Sequence, residues 1–196
     1  MFNKKIIAAV LAVSGMFINM AANAQAYVGA TVGQARWNAD CNGTTNCKTN
    51  DTSFNILGGY NFNANWGIEA SYYSLGKIKA NFTNVVTYGN VGNITGEMKA
   101  TGIDLAGVYR TQFNNNWGMF AKLGIARTKG EGTIFLNNTG ILADSKNSTN
   151  VMAGLGVTYA FTPNFAVRAE IDSRKADFTY TSGNITNFNI GVQAAF

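Results

Sequence analysis

Apolar residues alternate with small or polar ones along most of the chain, and three stretches repeat the same form. Residues 57–71 read LGGYNFNANWGIEAS, residues 108–123 read VYRTQFNNNWGMFAKL, and residues 157–170 read VTYAFTPNFAVRAE. In each stretch, aromatic residues flank a short turn rich in Asn or Pro. Side chains that recur with a period of two share one face of a strand, so each stretch predicts two strands joined by a tight turn.

Extending this pattern from residue 25 onward predicts eight strands. They cover residues 25–37, 52–62, 66–75, 101–113, 117–127, 150–161, 165–173 and 187–196. Each is close to the ~9–11 residues that a tilted strand needs to cross a bilayer. Long polar loops are predicted at 38–51, 76–100, 128–149 and 174–186, and they alternate with the short turns. This asymmetry is typical of outer-membrane barrels.

We therefore predict an all-β fold, an eight-stranded antiparallel up-and-down transmembrane β-barrel over residues 25–196. The short turns and both termini would face the periplasm, and the long loops would lie outside the cell. An alternative has ten strands, with part of the second loop inserted into the barrel. Aromatics at the strand ends beside the short turns predict an interfacial girdle. Its members are Tyr60, Phe62, Trp66, Phe113, Trp117, Phe161 and Phe165.

The positions of the charges test this interpretation. The residues assigned to the apolar stripes are uncharged, and seven charged residues lie on the opposite faces: Glu69, Asp104, Arg110, Lys122, Arg168, Glu170 and Asp172. An Arg or Lys facing lipid at mid-depth costs roughly 2–4 kcal/mol, so a membrane barrel requires such segregation. A soluble β-sandwich would also hide an apolar face, but it does not require aromatic residues along one rim.

Composition supports the membrane interpretation. Charged residues make up 13% of the chain, about half the share of a soluble domain. Disorder is not favoured, because disordered chains are rich in charge and poor in aromatics. The formal charge is +5, and it falls to +3 if Lys4 and Lys5 are removed with a signal peptide. No basic stripe with interleaved aromatics is present, so we expect no nucleic-acid partner.

Residues 1–24 have the features of a cleaved secretory signal. Lys4 and Lys5 precede an uncharged stretch over residues 6–20, and Ala22 and Ala24 place small residues before the predicted cut after Ala24. The alternative is a retained membrane helix. The apolar stretch is short and a small-residue site follows it directly, so cleavage is favoured.

The cysteine and histidine counts limit the possible chemistry. Cys41 and Cys47 are the only cysteines, and in an exported chain they favour a disulfide within the first loop, with free thiols as the alternative. The chain contains no histidine, which disfavours a metal site and a Ser-His or Asp-His enzyme. An enzyme that used only carboxylates for catalysis would need a cleft that holds two matched carboxylates. We therefore expect no enzyme, no metal and no cofactor.

The quoted stretches resemble the transmembrane domain of the outer-membrane protein A family. The likeness extends through YVGATVG at 27–33, GIDLAGVYRTQFNNNWGMFAKLG at 102–124 and FNIGVQAAF at 188–196. It implies an eight-stranded barrel in the outer membrane of a Gram-negative bacterium. Phe196, with Phe188 on the same strand, resembles the signal read by the barrel-assembly machinery. Larger members continue into a peptidoglycan-binding domain, a function that we do not carry over.

The resemblance also implies ionic pairs inside the barrel. Glu69 and Arg168 match one such pair, whereas the positions of a second pair hold Val108 and Thr158. Lys122 and Glu170 lie nearby and are candidates for other pairs. The full set of expected interior ion-pair residues is Glu69, Arg168, Lys122, Glu170, Asp104 and Arg110.

We expect a structural barrel whose surface loops are available for adhesion or for contact with a host or another cell. The loop segments 80–95 and 134–142 mix apolar residues with Asn and Thr, although they could also be simple extensions of the strands. The alternative is a small diffusion channel, and a lipid-modifying enzyme is disfavoured. Expected partners are outer-membrane lipid and lipopolysaccharide, the barrel-assembly machinery, and a host or cell-surface ligand.

Overall fold

The computed structural model describes residues 25–38, 41–87, 90–137, 139–178 and 182–196. The predicted signal peptide lies outside the described residues and stays a prediction. The strands are β1 Ala26–Trp37, β2 Asn46–Lys48, β3 Asn50–Asn61, β4 Trp66–Thr87, β5 Asn90–Gln112, β6 Trp117–Leu136, β7 Thr139–Ala160, β8 Phe165–Asp177 and β9 Ser182–Ala195. Within the described ranges, no helix has the length and apolar character needed to span a bilayer.

Eight of these strands form one closed antiparallel sheet. From β3 to β9 each strand pairs with the next in chain order, and β1 pairs with both β3 and β9. The short strand β2 pairs with β4 beyond the point where the ladder between β3 and β4 ends. Its pairs run from Asn46↔Asn81 to Lys48↔Lys79. The predicted eight-stranded barrel is therefore confirmed. The ten-strand alternative is wrong, because the described parts of the second loop lengthen β4 and β5 instead of adding barrel strands.

The three repeated turns lie at one end of the barrel, and Asn side chains fix the first two. Asn63 Oδ1 accepts from the backbone of Asn65 at 2.9 Å and of Trp66 at 2.8 Å, and Asn114 binds Asn116 and Trp117 in the same way. Asn side chains that bind the backbone two residues on favour tight turns. The start of β1 and the end of β9 lie at this same end, where Phe196 N donates to Ala26 O at 2.9 Å.

The two faces of the sheet differ as the period of two predicts. Outward residues are exposed on every barrel strand, for example Val32, Ile56, Leu105, Leu123, Leu155 and Ile190. Inward residues are buried and mostly polar, charged or aromatic. The exposed apolar side chains thus form a continuous outer band, and the protein's interior is the lumen of the barrel.

The long loops predicted from the sequence are largely wrong. β4 and β5 continue to Thr87 and Asn90, β6 and β7 continue to Leu136 and Thr139, and the last hairpin extends to Asp177 and Ser182. The first loop contains β2, and β3 already begins at Asn50. Antiparallel strands satisfy each other's backbone groups whether or not lipid surrounds them, so pairing continues beyond the apolar band.

Matched substitutions on β7 test which part of the hairpin meets lipid. Leu155 lies midway along the outward row from Val151 to Tyr159, whereas Leu142 lies near the hairpin tip. We expect Leu155→Arg to lower the free energy of unfolding by roughly 2–4 kcal/mol, because the charge faces hydrocarbon. Leu142→Arg is the control and should change it little. Urea unfolding in lipid vesicles measures both, and equal losses would contradict the placement.

Candidate functional site

The centre of the lumen holds a cluster of buried charges. Arg168 Nη1 donates to Glu69 Oε2 at 2.8 Å, and its Nη2 donates to Glu170 Oε2 at 2.7 Å. Lys122 Nζ lies 3.2 Å from Glu69 Oε1 and 2.9 Å from Glu170 Oε2. It also lies 3.0 Å from Asp172 Oδ1. The structure therefore places Glu69 beside Arg168, as the resemblance implied, and joins Lys122 and Glu170 to the same cluster.

A second cluster lies on the long-hairpin side of the first. Arg174 donates to Asp104 Oδ2 from Nε at 2.9 Å and from Nη2 at 2.6 Å. Ser71 donates to the other oxygen of Asp104 at 2.6 Å, and the Arg174 guanidinium lies 4.5 Å from the centre of the Tyr73 ring. Asp172 Oδ2 is 3.4 Å from Arg174 Nη1, so Asp172 connects the two clusters.

Arg110 lies at the short-turn side and is less tightly paired. Its Nη2 is 3.8 Å from Glu69 Oε2, and its guanidinium stacks 4.3 Å from the centre of the Tyr27 ring. The Tyr27 hydroxyl donates to Glu69 Oε2 at 2.9 Å. Arg110 thus borders a vestibule of about 690 Å³ that opens between the short turns. The vestibule lining includes Gln25, Asn61, Phe120, Thr158 and Gln193.

The charges of the two clusters balance. Lys122, Arg168, Arg174 and Arg110 face Glu69, Glu170, Asp172 and Asp104, so the formal charges of these eight side chains cancel. A buried charge without a partner is strongly destabilising, whereas a complete network avoids that penalty. The two clusters can rigidify and fill the lumen, and this structural role requires no catalysis.

An apolar cluster closes the lumen on the long-hairpin side of the ionic network. The Trp37 ring lies 5.8 Å from the Phe178 ring, and its Nε1 donates to Leu75 O at 3.2 Å. Other buried members of this cluster are Ile78, Ala100, Ala126, Met152, Ala176 and Ile185. Most of these positions were assigned to strand ends or loops from the sequence, so the sequence analysis missed this closure.

Glycines opposite the large side chains make the packing possible. A Cβ at Gly59 would overlap the Tyr27 ring, and a Cβ at Gly154 would overlap the carboxylate of Asp172. A narrow barrel has room for inward aromatic rings and charges only where the neighbouring strand offers no side chain.

Arg174 is the most important interior residue that the sequence analysis missed. It was assigned to the fourth loop, because the seventh strand was ended at Ser173. Arg168, Glu170, Asp172 and Arg174 are spaced two apart, so continuing the alternation one step further would have placed Arg174 in the lumen. Its partner Asp104 lies on β5, and that contact depends on barrel closure.

The cysteines form the predicted disulfide, which is confirmed with a Cα–Cα distance of 5.9 Å between Cys41 and Cys47. Next to it, the Asp51 carboxylate accepts from Lys48 Nζ at 2.8 Å and from Lys77 N at 2.8 Å. The hydrogen bond from Lys48 lowers the pKa of Asp51 below its ordinary value. Together these contacts hold the first loop against a bulge in β4 at Gly76, whose φ of +66° suits glycine.

The predicted girdle residues are exposed near the short turns. Trp66 packs on Tyr109 with ring centres 4.9 Å apart, and Trp117 packs on Tyr159 at 5.0 Å. The other members, Tyr60, Phe62, Phe113, Phe161 and Phe165, are also exposed. Such amphipathic rings suit a membrane–water boundary.

Of the two phenylalanines assigned to assembly, Phe188 lies within β9 and Phe196 follows its last residue. Phe188 points outward in register with Ile171 and Gln34, whereas Phe196 ends the chain beside Ala26. A role of this strand in assembly stays a prediction.

Comparison with known proteins agrees with this geometry. The family model for the outer membrane protein beta-barrel domain matches residues 6–196. The chain belongs to the outer membrane protein beta-barrel family. No curated protein matches this chain significantly.

Solved structures of outer-membrane barrels are similar in fold. The attachment invasion locus protein Ail of Yersinia pestis, solved with the heparin analogue sucrose octasulfate, is 20% identical with a TM-score of 0.54 over 88% of this chain and 99% of that chain. Neisserial surface protein A is 16% identical, with a TM-score of 0.60 over 87% and 97%. The N-terminal barrel of Pseudomonas aeruginosa OprF is 18% identical, with a TM-score of 0.52 over 88% and 98%. At these identities the likeness concerns the fold.

The ionic network of this outer-membrane barrel predicts a large, non-additive cost of substitution. We expect Glu69→Gln to lower the free energy of unfolding by about 3–5 kcal/mol, because Arg168 and Lys122 stay buried with one carboxylate fewer. The double variant Glu69→Gln/Arg168→Gln should lose less than the sum of the single variants. Glu97→Gln, which breaks the exposed contact with Lys79, is the control and should cost about 0–1 kcal/mol. Urea unfolding in vesicles measures the wild type, Glu69→Gln, Arg168→Gln, the double variant and Glu97→Gln, and strict additivity would contradict the network.

Proposed function

We propose that this outer-membrane barrel is a surface protein that binds a macromolecule of a host or another cell through the β6–β7 hairpin. Charges and the apolar cluster fill the lumen, so a macromolecule outside the cell would meet the part of the barrel beyond the membrane. This hairpin extends from Arg127 to Leu136 on β6, about 30 Å along the strand at the usual rise.

The observation that supports the proposal is the β8-facing edge of β7. Among the described residues, the ladder between β7 and β8 runs only from Met152 to Ala160, whereas the ladder between β7 and β6 continues to Thr139. Residues 139–147 are exposed. An exposed strand edge offers free N–H and C=O groups to an extended segment of a partner chain.

Apolar side chains at the tip strengthen this interpretation. Ile141 is 56% exposed and Leu142 is 47% exposed, next to Phe135 and Ile134 of β6. Neighbouring exposed apolar residues on a strand edge favour association with another protein. The attachment invasion locus protein Ail shares the fold at 20% identity. That likeness makes adhesion a reasonable class of function, but the proposal depends on the hairpin of this chain.

Adherence of a non-adherent Gram-negative strain expressing the protein tests the proposal. We expect the wild type to raise binding to cultured host cells, and Ile141→Asn/Leu142→Asn to lose most of that gain, about tenfold, as expected when an apolar anchor is removed. Ser145→Asn/Asn147→Ser, on the same strand, is the matched control and should bind like the wild type. Surface labelling checks equal display. Equal adherence of the wild type and the tip variant would overturn the proposal.

A small diffusion channel is the second candidate, and the vestibule at the short-turn end is the observation that favours it. The ionic network and the apolar cluster lie between this vestibule and the long-hairpin end, so we expect the wild type to give no steady single-channel steps in planar bilayers. Sizeable steady steps from the purified wild-type protein would contradict the closed lumen. The control is the same protein denatured by heat before it is added.

A further inference from the structure

The outer wall of the barrel carries a group of cations that neither the lumen nor the hairpin tip explains. We call Lys77, Lys79, Lys99, Arg127 and Lys129 the basic patch. These residues lie on the neighbouring strands β4, β5 and β6, and all are exposed. Every exposed Lys or Arg among the described residues lies on the half of the barrel that carries the long hairpins. The cations of the patch therefore lie at the long-hairpin edge of the apolar band.

Strand pairing brings the side chains of the patch together. Lys77 is the cross-strand partner of Lys99. Lys99 is opposite Glu131, and Lys129 is therefore its diagonal neighbour. Directly opposed side chains are about 5 Å apart and diagonal ones about 7–8 Å apart. Like charges that face each other across strands are destabilising without a counter-charge. The β-bulge between Ser74 and Lys77 contributes by turning Lys77 to the outer face.

The carboxylates nearby do not neutralise the patch. Lys79 contacts Glu97, and Lys129 Nζ lies 2.6 Å from Glu131 Oε1. Lys99 Nζ is 3.9 Å from the same Glu131, at the limit of an ion pair. Five cations and two carboxylates leave a formal surplus of three positive charges. Within the described residues, neither the Lys77 ammonium nor the Arg127 guanidinium has a carboxylate oxygen within 4.0 Å; Asp51, which accepts from Lys77 N, forms its ion pair with Lys48.

An apolar groove begins directly below the patch on the lipid-facing wall. It has a volume of about 670 Å³, and its lining includes Ala70, Tyr72, Ile103, Leu105, Ile125 and Arg127. Arg127 is the next outward residue after Ile125 on β6 and the cross-strand partner of Ile103. The small side chain of Ala70, opposite Leu105, leaves the space between larger neighbours. The groove therefore continues from a cationic end into the apolar band.

We propose that the basic patch and this groove form a binding site for the lipid A part of lipopolysaccharide. The cations bind its phosphates, and one acyl chain lies in the groove. Arg and Lys are strong ligands for phosphate, and each cation near an anionic surface adds to the attraction. The patch extends from Lys77 across β5 to Arg127, and this span is wider than a single phosphate group. A lipid with two phosphates on a sugar backbone fits this spread better than a glycerophospholipid with one.

Native mass spectrometry of the folded barrel in detergent tests the site with purified diphosphoryl lipid A. We expect wild type to retain one lipid A, and Lys77→Gln/Lys99→Gln/Arg127→Gln to bind at least about tenfold more weakly. Arg36→Gln/Lys146→Gln/Lys175→Gln removes the same charge outside the patch and should stay within about twofold of wild type. Equal weakening by both triple variants would overturn the site, since it would show a general effect of charge.

Two further variants separate the headgroup from the acyl chain. Glu131→Gln frees Lys129 and Lys99 from their carboxylate, so lipid A should bind more tightly. Ala70→Trp fills the groove without changing charge and should weaken binding. The lumen is untouched in both, and the heat-dependent gel mobility of the barrel checks folding. No change in either variant would overturn the proposed geometry.

The choice of lipid identifies the ligand. Dephosphorylated lipid A and phosphatidylglycerol should each bind at least about tenfold more weakly than diphosphoryl lipid A, because they lack one or both of its phosphates. Phosphatidylglycerol bound as tightly as diphosphoryl lipid A would overturn the assignment and reveal a general anionic-lipid surface.

Discussion

Hydrocarbon offers no hydrogen-bond partner to a peptide group, and this constraint determines the architecture of the protein. Each of the eight barrel strands is paired on both sides where it crosses the apolar band, and the pairing of β1 with β9 removes the last open edge. The closed sheet then allows only two environments for a side chain. Outward positions meet lipid, and inward positions meet one another in a narrow lumen.

Because the lumen is narrow, the charged side chains inside it pack against one another and form the core. Asp172 contacts Lys122 in one cluster and Arg174 in the other, so the two clusters share a carboxylate instead of standing alone. Glycines supply the space that the Tyr27 ring and the Asp172 carboxylate occupy. Above them, Trp37 and Phe178 add an apolar closure. The interior is therefore packed, as the core of a soluble protein is.

The sequence predicted the barrel because the period of two is imposed by lipid on every span. It predicted the turns for a local reason, since Asn63 and Asn114 bind the backbone within their own turns. It failed where the constraint is not local. The hairpin extensions lie beyond lipid, and polar composition alone does not distinguish them from loops. Partners such as Asp104 and Arg174 are brought together by closure of the barrel, which no local pattern encodes.

The seam between β1 and β9 has a consequence for biogenesis. Apart from this seam, every ladder between barrel strands joins strands that are consecutive along the chain. Those hairpins can therefore pair one after another, starting from the N-terminal side. The seam joins Tyr27 to Ala195, so its two strands lie at opposite ends of the described part of the chain. The seam can form only when β9 is available. Until then the sheet has two edges whose backbone N–H and C=O groups are not paired. Until the seam forms, those exposed edges are sites at which the molecule could pair with another chain.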